Sequence, residues 1–296
     1  MKNKISKTLL FMIMLLSVVA LVLGVTLFNS PSACSGQWTS CSNAFANDAN
    51  RATASVSATS NKSGIWNNYG LSITQGSTIN RVNVRADFFA SRTSGFINVK
   101  VSGDSGLTYG PSHIVGGNTA EQTFNIDVTN DIAWTPNNLN NTNFRVKVTC
   151  FRSDGTAAGR FNGISTNPTC NLDWVPVNVT YTPPCIRANP QVTINPTIGN
   201  GTAGSTVNYR VWVTNFDSNQ CGVSSFTMIG SIIPRNWTGI FNDGTLVINP
   251  QNTAITNFSL TSTLNATLGS YNFSITAINF NNSLFRGSVD ALYNVI

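Results

Sequence analysis

Alternation with a period of two runs through most of this chain. Val82, Val84, Ala86 and Phe88 alternate with Asn83, Arg85 and Asp87. Phe124, Ile126 and Val128 alternate with Asn125 and Asp127, and Phe144, Val146, Val148 and Cys150 with Arg145, Lys147 and Thr149. Each stretch predicts an antiparallel strand with one buried face. The pattern resumes with Val207, Tyr209, Val211 and Val213, then Thr256, Phe258 and Leu260, then Tyr271, Phe273, Ile275 and Ala277. Turn formers separate these runs: Gly199-Asn200-Gly201, Ala203-Gly204, Asn242-Asp243-Gly244 and Leu268-Gly269. No helical periodicity follows the N-terminal leader, so an all-β fold of two tandem β-sandwiches is expected. The Pro183-Pro184 step, after the strand-like Val175–Tyr181, predicts the boundary, because proline cannot donate to a sheet ladder and stiffens a linker. The expected sandwiches span residues 34–182 and 185–296.

Lys2, Lys4 and Lys7 precede an apolar run from Leu9 to Phe28. A charged n-region followed by an apolar h-region marks an exported chain. The run is longer than a usual signal core and long enough to cross a bilayer as a helix. Small residues at Ser30, Ser32 and Ala33 offer a cleavage point. Residues 1–33 are therefore expected to form an N-terminal hydrophobic helix, either a signal peptide cut near that point or a retained membrane anchor. Pro31, where a lipoprotein carries leucine, argues against lipidation at Cys34.

Composition sharpens the picture. Only 9% of the 296 residues are charged, His113 is the single histidine and Glu121 the only glutamate. Globular domains average about 25% charged. Acid–base and metal-dependent catalysis needs paired titratable groups, and few are present, so a non-enzymatic protein is expected. Asp104, Asp154, Asp217 and Asp243 sit beside Gly, Ser or Asn, where aspartate ordinarily bonds its own backbone. His113 lies in a Gly-rich stretch that predicts a solvated loop, and no Gly-x-Ser-x-Gly elbow occurs. The net charge is +6, but three lysines belong to the leader. The weakly basic remainder lacks a Lys/Arg cluster interleaved with aromatics, so no nucleic-acid partner is expected.

Six cysteines in an exported chain imply disulfides. Their spacing predicts three local pairs: Cys34–Cys41, Cys150–Cys170 and Cys185–Cys221. A zinc site is the rival reading and lacks both a CxxC and a second histidine.

Two resemblances extend these readings. Trp66–Ile73, Gly76–Val82, Trp134-Thr135-Pro136, Phe144-Arg145-Val146, Leu172–Val175 and Val179-Thr180-Tyr181 together resemble a jelly-roll domain of phage and prokaryotic surface proteins. That resemblance implies a last strand closing the sandwich. Residues 185–294 resemble the Ig-like domain appended to secreted α-galactosidases and exported peptidases. The residues carrying it are Cys185–Pro190, Gly201–Ser205, Val211–Asp217, Pro234 with Trp237, and Leu268–Tyr271. It implies a non-catalytic accessory module and supports the Cys185–Cys221 pair. The chain has no HExxH and no segment large enough for a glycosidase barrel.

Three binding features remain. Calcium takes oxygen ligands and abounds outside cells; Asp48 and Asp173 are its candidate ligands if a sandwich brings them together. No other cofactor is expected. Trp212, out of phase with the inward Val211 and Val213 and next to Arg210, is a candidate platform for stacking sugars, whereas the other five tryptophans read as core or edge plugs. Sequons stand at Asn61, Asn140, Asn178, Asn200, Asn236, Asn257, Asn265, Asn272 and Asn281, a number that chance gives in so Asn-rich a chain; glycosylation of exposed ones is expected. The expected protein is secreted or held at the cell surface, with a role in adhesion, envelope structure or display and with glycans or other surface proteins as partners. The alternative is a carbohydrate-binding accessory protein of an extracellular hydrolase system.

Overall fold

In the computed structural model, residues 24–57, 59–153, 167–231 and 233–296 are described. They form strands throughout, with one short 3-10 turn at Cys41–Ala44. The chain divides into two compact units between Pro183 and Pro184.

The first unit holds eleven strands. They are β1 (Val25–Asn29), β2 (Ala33–Gly36), β3 (Ala52–Ser55), β4 (Lys62–Asn67), β5 (Thr78–Ala90) and β6 (Gly95–Ser102), then β7 (His113–Gly116), β8 (Gln122–Asp127), β9 (Arg145–Arg152), β10 (Thr169–Trp174) and β11 (Val177–Thr182). The long β5 organises one sheet. Asn83 pairs with both Asn178 of β11 and Asp127 of β8, and Phe88 with both Leu172 of β10 and Gln122 of β8. So β11 and β10 follow one another along one edge of β5, and β8 takes the other. β1 then adds to β11, and β3 to β10. The second sheet runs β2-β4-β9-β6-β7, antiparallel throughout.

One apolar core unites the two sheets. Val82, Val84, Ala86 and Phe88 come from β5, Ile97 and Val99 from β6, and Val146 and Val148 from β9, all with no exposed surface. β-branched residues dominate because they suit a pleated, half-buried surface. Gly64 leaves room for two tryptophans. A Cβ there would stand 2.7 Å from the Trp38 ring and 2.8 Å from that of Trp66. The two indoles meet edge to face at 5.6 Å. The Cys150–Cys170 disulfide joins β9 to β10, and hence one sheet to the other, while Cys34–Cys41 ties β2 to the 3-10 turn.

The second unit holds β12 (Gln191–Asn195), β13 (Ile198–Gly201), β14 (Thr206–Thr214), β15 (Ser224–Ser231), β16 (Thr238–Phe241), β17 (Thr245–Ile248), β18 (Thr253–Thr261), β19 (Gly269–Asn279) and β20 (Arg286–Val295). Its sheets run β12-β14-β18-β16 and β13-β20-β19-β15-β17, with β13 and β20 parallel. Tyr209, Val211, Val213 and Phe258 of the first sheet meet Phe226, Phe273, Ile275 and Tyr293 of the second. Cys185–Cys221 pins the segment ahead of β12 to the turn after β14.

Two expectations need correction. The hydrophobic helix proposed for residues 1–33 falls on residues 1–23 outside the described part, but its last third is not helical. Val25–Asn29 is β1, paired residue for residue with Tyr181–Val177. Two β-branched residues open it, and Leu27 packs on the core while the flanking positions face outward. No helix among the described residues is long and apolar enough to cross a membrane. His113, read as a solvated loop residue, opens β7 and is paired with Asp131 at 2.7 Å; the Gly-rich stretch around it is partly the hairpin partner of β6.

Candidate functional site

The outer face of the four-stranded sheet in the second unit carries the first candidate. Alternation along β14 sends Tyr209, Val211 and Val213 into the core and leaves Arg210 exposed and Trp212 half-buried. The register sets Trp212 between Thr193 of β12 and Ile255 of β18, and Arg210 between Asn195 and Asn257. The Arg210 guanidinium lies over the indole, 5.3 Å from its centroid. The guanidinium covers one face of the indole, and hydroxyl and amide side chains of the neighbouring strands stand beside the pair. Such a surface can stack an apolar sugar face and bond its hydroxyls.

A cleft of about 300 Å³ in the first unit is the second candidate, at the small end of ligand pockets. Asp104, Thr108 and Tyr109 from the β6–β7 connection line it with Asp131, Ile132 and Asn138 from the β8–β9 connection. Asp104 accepts from Ser102 Oγ at 2.6 Å, from Thr108 Oγ1 at 2.5 Å and from the Thr108 amide. The Ser102 and Thr108 hydrogen bonds hold its carboxyl down at about 2. Asn138 bridges the two connections by donating to the Gly103 carbonyl at 3.0 Å. Burial pushes the Tyr109 phenol up, and its hydroxyl is buried without a hydrogen-bond partner. The Asp131 carboxylate bonds His113 Nε2 through Oδ2. The cleft therefore brings two carboxylates, an aromatic ring and an amide together, with the Asp104 oxygens already engaged by Ser102 and Thr108.

Asp48 and Asp173, 125 positions apart in sequence, come to the same region of the outer face of the β5 sheet. Asp173 is the extra residue of a bulge in β10, where the register with β5 jumps from Leu172–Phe88 to Trp174–Asp87. Bulges re-aim side chains; here the carboxylate is 1% exposed and its Oδ1 has no hydrogen-bond partner. The chain leading to Asp48 passes beside it, through the Phe45–Trp174 bridge and an Asn47 Nδ2 bond to Asp87 Oδ2 at 3.3 Å. Burial raises the Asp173 carboxyl; the charges of Glu121 and Asp48 raise it further, against the pull of Arg51. Asp48 itself is exposed, its oxygens taken by the amide and side chain of Asn50. Glu121 Oε2 is held by Arg51 at 2.6 Å. Among the described residues no three His, Cys, Asp or Glu side chains converge as a metal site; further ligands would have to be carbonyl or amide oxygens.

All six cysteines are disulfide-bonded in the three pairs described above. The five other tryptophans take structural places. Trp38 and Trp66 are buried, Trp134 donates to the Val128 carbonyl, Trp174 to Ser30 Oγ, and Trp237 meets Tyr271 at a tilt and Tyr293 edge to face. Asp154 lies outside the described residues. Asp217, read as a turn aspartate, is wholly buried. It accepts from Arg187 Nη1 at 2.6 Å, Ser224 Oγ at 2.7 Å and the Ala188 amide at 2.9 Å. The cleft was not foreseen either. Its one sequence signal is Ser102-Gly103-Asp104-Ser105-Gly106, which reads equally well as an ordinary turn.

No family model and no curated protein matches the chain. Solved structures give distant likenesses. A family 123 glycoside hydrolase from Clostridium perfringens is 15% identical with a TM-score of 0.29, over 36% of this chain and 27% of that one, so the chain spans about a quarter of that enzyme's length. A CBM22 tandem domain of Paenibacillus barcinonensis Xyn10C is 7% identical with a TM-score of 0.29, over 81% of this chain and 86% of that one. The N-terminal domain of a Streptococcus gordonii adhesin is 8% identical with a TM-score of 0.23, over 80% and 61%. At such scores these chains share β-rich architecture with this one at most, and no function passes between them.

Proposed function

We propose that this is an exported, non-enzymatic protein of the cell surface or extracellular space, acting in adhesion, envelope structure or display. The observation that carries this reading is the set of three disulfides, one of them joining the two sheets of a sandwich core. Disulfides of this kind form and persist in oxidising compartments. Fractionation of cells producing the full chain tests it: the protein is expected outside the cytoplasm and to run faster before reduction than after. A fully reduced cytoplasmic pool would end the reading.

The Arg210–Trp212 surface favours a second reading, in which the partner is a glycan and the protein is a carbohydrate-binding accessory. If the surface binds sugar, Trp212→Ala abolishes glycan-array signal, a loss of at least tenfold in affinity, without lowering the melting temperature of the fold. Unchanged array binding would assign Trp212 to another contact.

The reading carries calcium as a structural ion at Asp173 and Asp48, supported by the orphaned buried oxygen of Asp173. At millimolar calcium a rise in melting midpoint of several degrees is expected, absent in Asp173→Asn. Equal midpoints with calcium and with chelator would rule the ion out.

A further inference from the structure

The entry of the chain into the first sandwich fixes how far export processing can reach. β1 is built into the fold. Its five residues pair with β11, and Leu27 packs on the core. The Phe28 ring meets Trp174 edge-on at 5.3 Å, and Asn29 Nδ2 donates to the Tyr69 carbonyl at 2.8 Å. The residues behind it are equally committed. Ser30 Oγ accepts from the Trp174 indole at 2.8 Å, Pro31 is buried, and Ser32 bonds the Asn67 and Asn68 carbonyls through its amide and its hydroxyl. Cleavage at Ser30–Ala33, the point the small residues mark in the sequence, would remove a strand together with the side-chain hydrogen bonds of Thr26 and Asn29.

With Val25–Asn29 assigned to the sheet, the apolar run shrinks to Leu9–Leu23, fifteen residues. That is the length of a signal-peptide core and short of the roughly 20 residues a spanning helix needs. A small residue, Gly24, follows at once, exposed and just ahead of the first strand. A cleavage enzyme reads small residues after an apolar core, and Gly24 is the one this chain offers between Leu23 and β1.

We infer that the leader is a signal peptide cut between Gly24 and Val25, so that the mature protein starts with its own first strand and is released from the membrane. The bond broken is the Gly24–Val25 peptide, hydrolysed by water at the signal-processing enzyme, leaving a free amine on Val25.

Intact-mass and N-terminal analysis of the full chain exported by a secreting host tests this. The expected mature species begins at Val25. A species beginning anywhere from Ser30 to Cys34, or one that keeps Met1 in the membrane fraction, overturns it. Gly24→Leu supplies the second arm. A branched residue at the cut site is expected to leave uncleaved precursor, with the disulfides still formed on non-reducing gels. Normal processing of Gly24→Leu at an unchanged mass interval would place the cut elsewhere and refute the assignment.

Discussion

Replacing Asp217 by alanine is expected to destabilise the second sandwich by about 3 kcal/mol, enough to lower its melting temperature by ten degrees or more. The side chain is 1% exposed and its carboxylate gathers three donors: the Arg187 guanidinium, the Ser224 hydroxyl and the Ala188 amide. Breaking a buried ion pair costs about 3–5 kcal/mol. The lower figure applies because Arg187 keeps 32% of its side chain in solvent and can rehydrate. What cannot rehydrate is the buried Ser224 hydroxyl, which keeps its bond from Arg187 Nη1 but loses the acceptor for its own proton. Asn215 orders the same turn, accepting from the Asp217 amide and donating to the Ile248 carbonyl.

The pH dependence follows in sign. Burial raises the Asp217 carboxyl, but the bonds from Ser224, Ala188 and Arg187 outweigh it and leave it below its ordinary value. A folded-state value below the unfolded one means that the contribution is complete above the unfolded carboxyl range. It fades as pH falls through the folded value. Thermal melts from pH 7 down to pH 2 are expected to show the wild-type advantage over Asp217→Asn shrinking only at the acid end. A constant difference across that range would mean that the charge is not what Asp217 contributes. Cys185–Cys221 closes around the same segment, with Ser218 and Ile186 bonded amide to carbonyl inside it. Disulfide and ion pair therefore fasten one contact twice, and losses from breaking both should fall short of additive.

The contrast between Asp217 and the strands explains what could be read from the chain alone. Period-two alternation reports which face of a strand is buried, and each face named from it is inward in the fold: Val82 to Phe88, Phe144 to Cys150, Tyr209 to Val213, Phe258 with Leu260, and Phe273 to Ala277. It is a local property of the residues themselves. The partners of Asp217, Arg187 thirty positions back and Ser224 seven ahead, are set by where loops return, and no local pattern encodes that. The cleft is the same case, since Tyr109 and Asp131 meet only because two connections fold over one end of the sandwich. Asp48 and Asp173 share a region because the chain running from the Phe45–Trp174 bridge to Asp48 passes beside β10. The bulge that buries Asp173 had no signal in Leu172-Asp173-Trp174. The leader misled for a physical reason too. Val25, Leu27 and Phe28 are apolar enough to extend a hydrophobic run and β-prone enough to leave it, and a sheet edge on β11 decided between them.

A chain beginning at Cys34 is expected to lose the first sandwich altogether, whereas one beginning at Val25 should fold with its disulfides formed. The deletion takes away the β1 ladder and side-chain hydrogen bonds, among them Asn29 to Tyr69, Trp174 to Ser30, and Ser32 to Asn68. At about 1 kcal/mol each, those three bonds alone cost about 3 kcal/mol. The apolar contacts of Leu27 and of Phe28 on Trp174 add about 2–3 kcal/mol. The sum of at least about 5 kcal/mol matches the whole stability of many domains. The damage is also directional. β11 becomes an edge carrying Val177, Val179 and Tyr181 on its inner face, and an unprotected edge recruits other chains. The expected result is a soluble, monomeric 25–296 protein with a cooperative melt. The 34–296 protein should precipitate or run as large aggregates, with Cys150 and Cys170 open to alkylation. Equal solubility and equal thiol protection in the two proteins would mean that β1 is an appendage and that the sandwich closes without it.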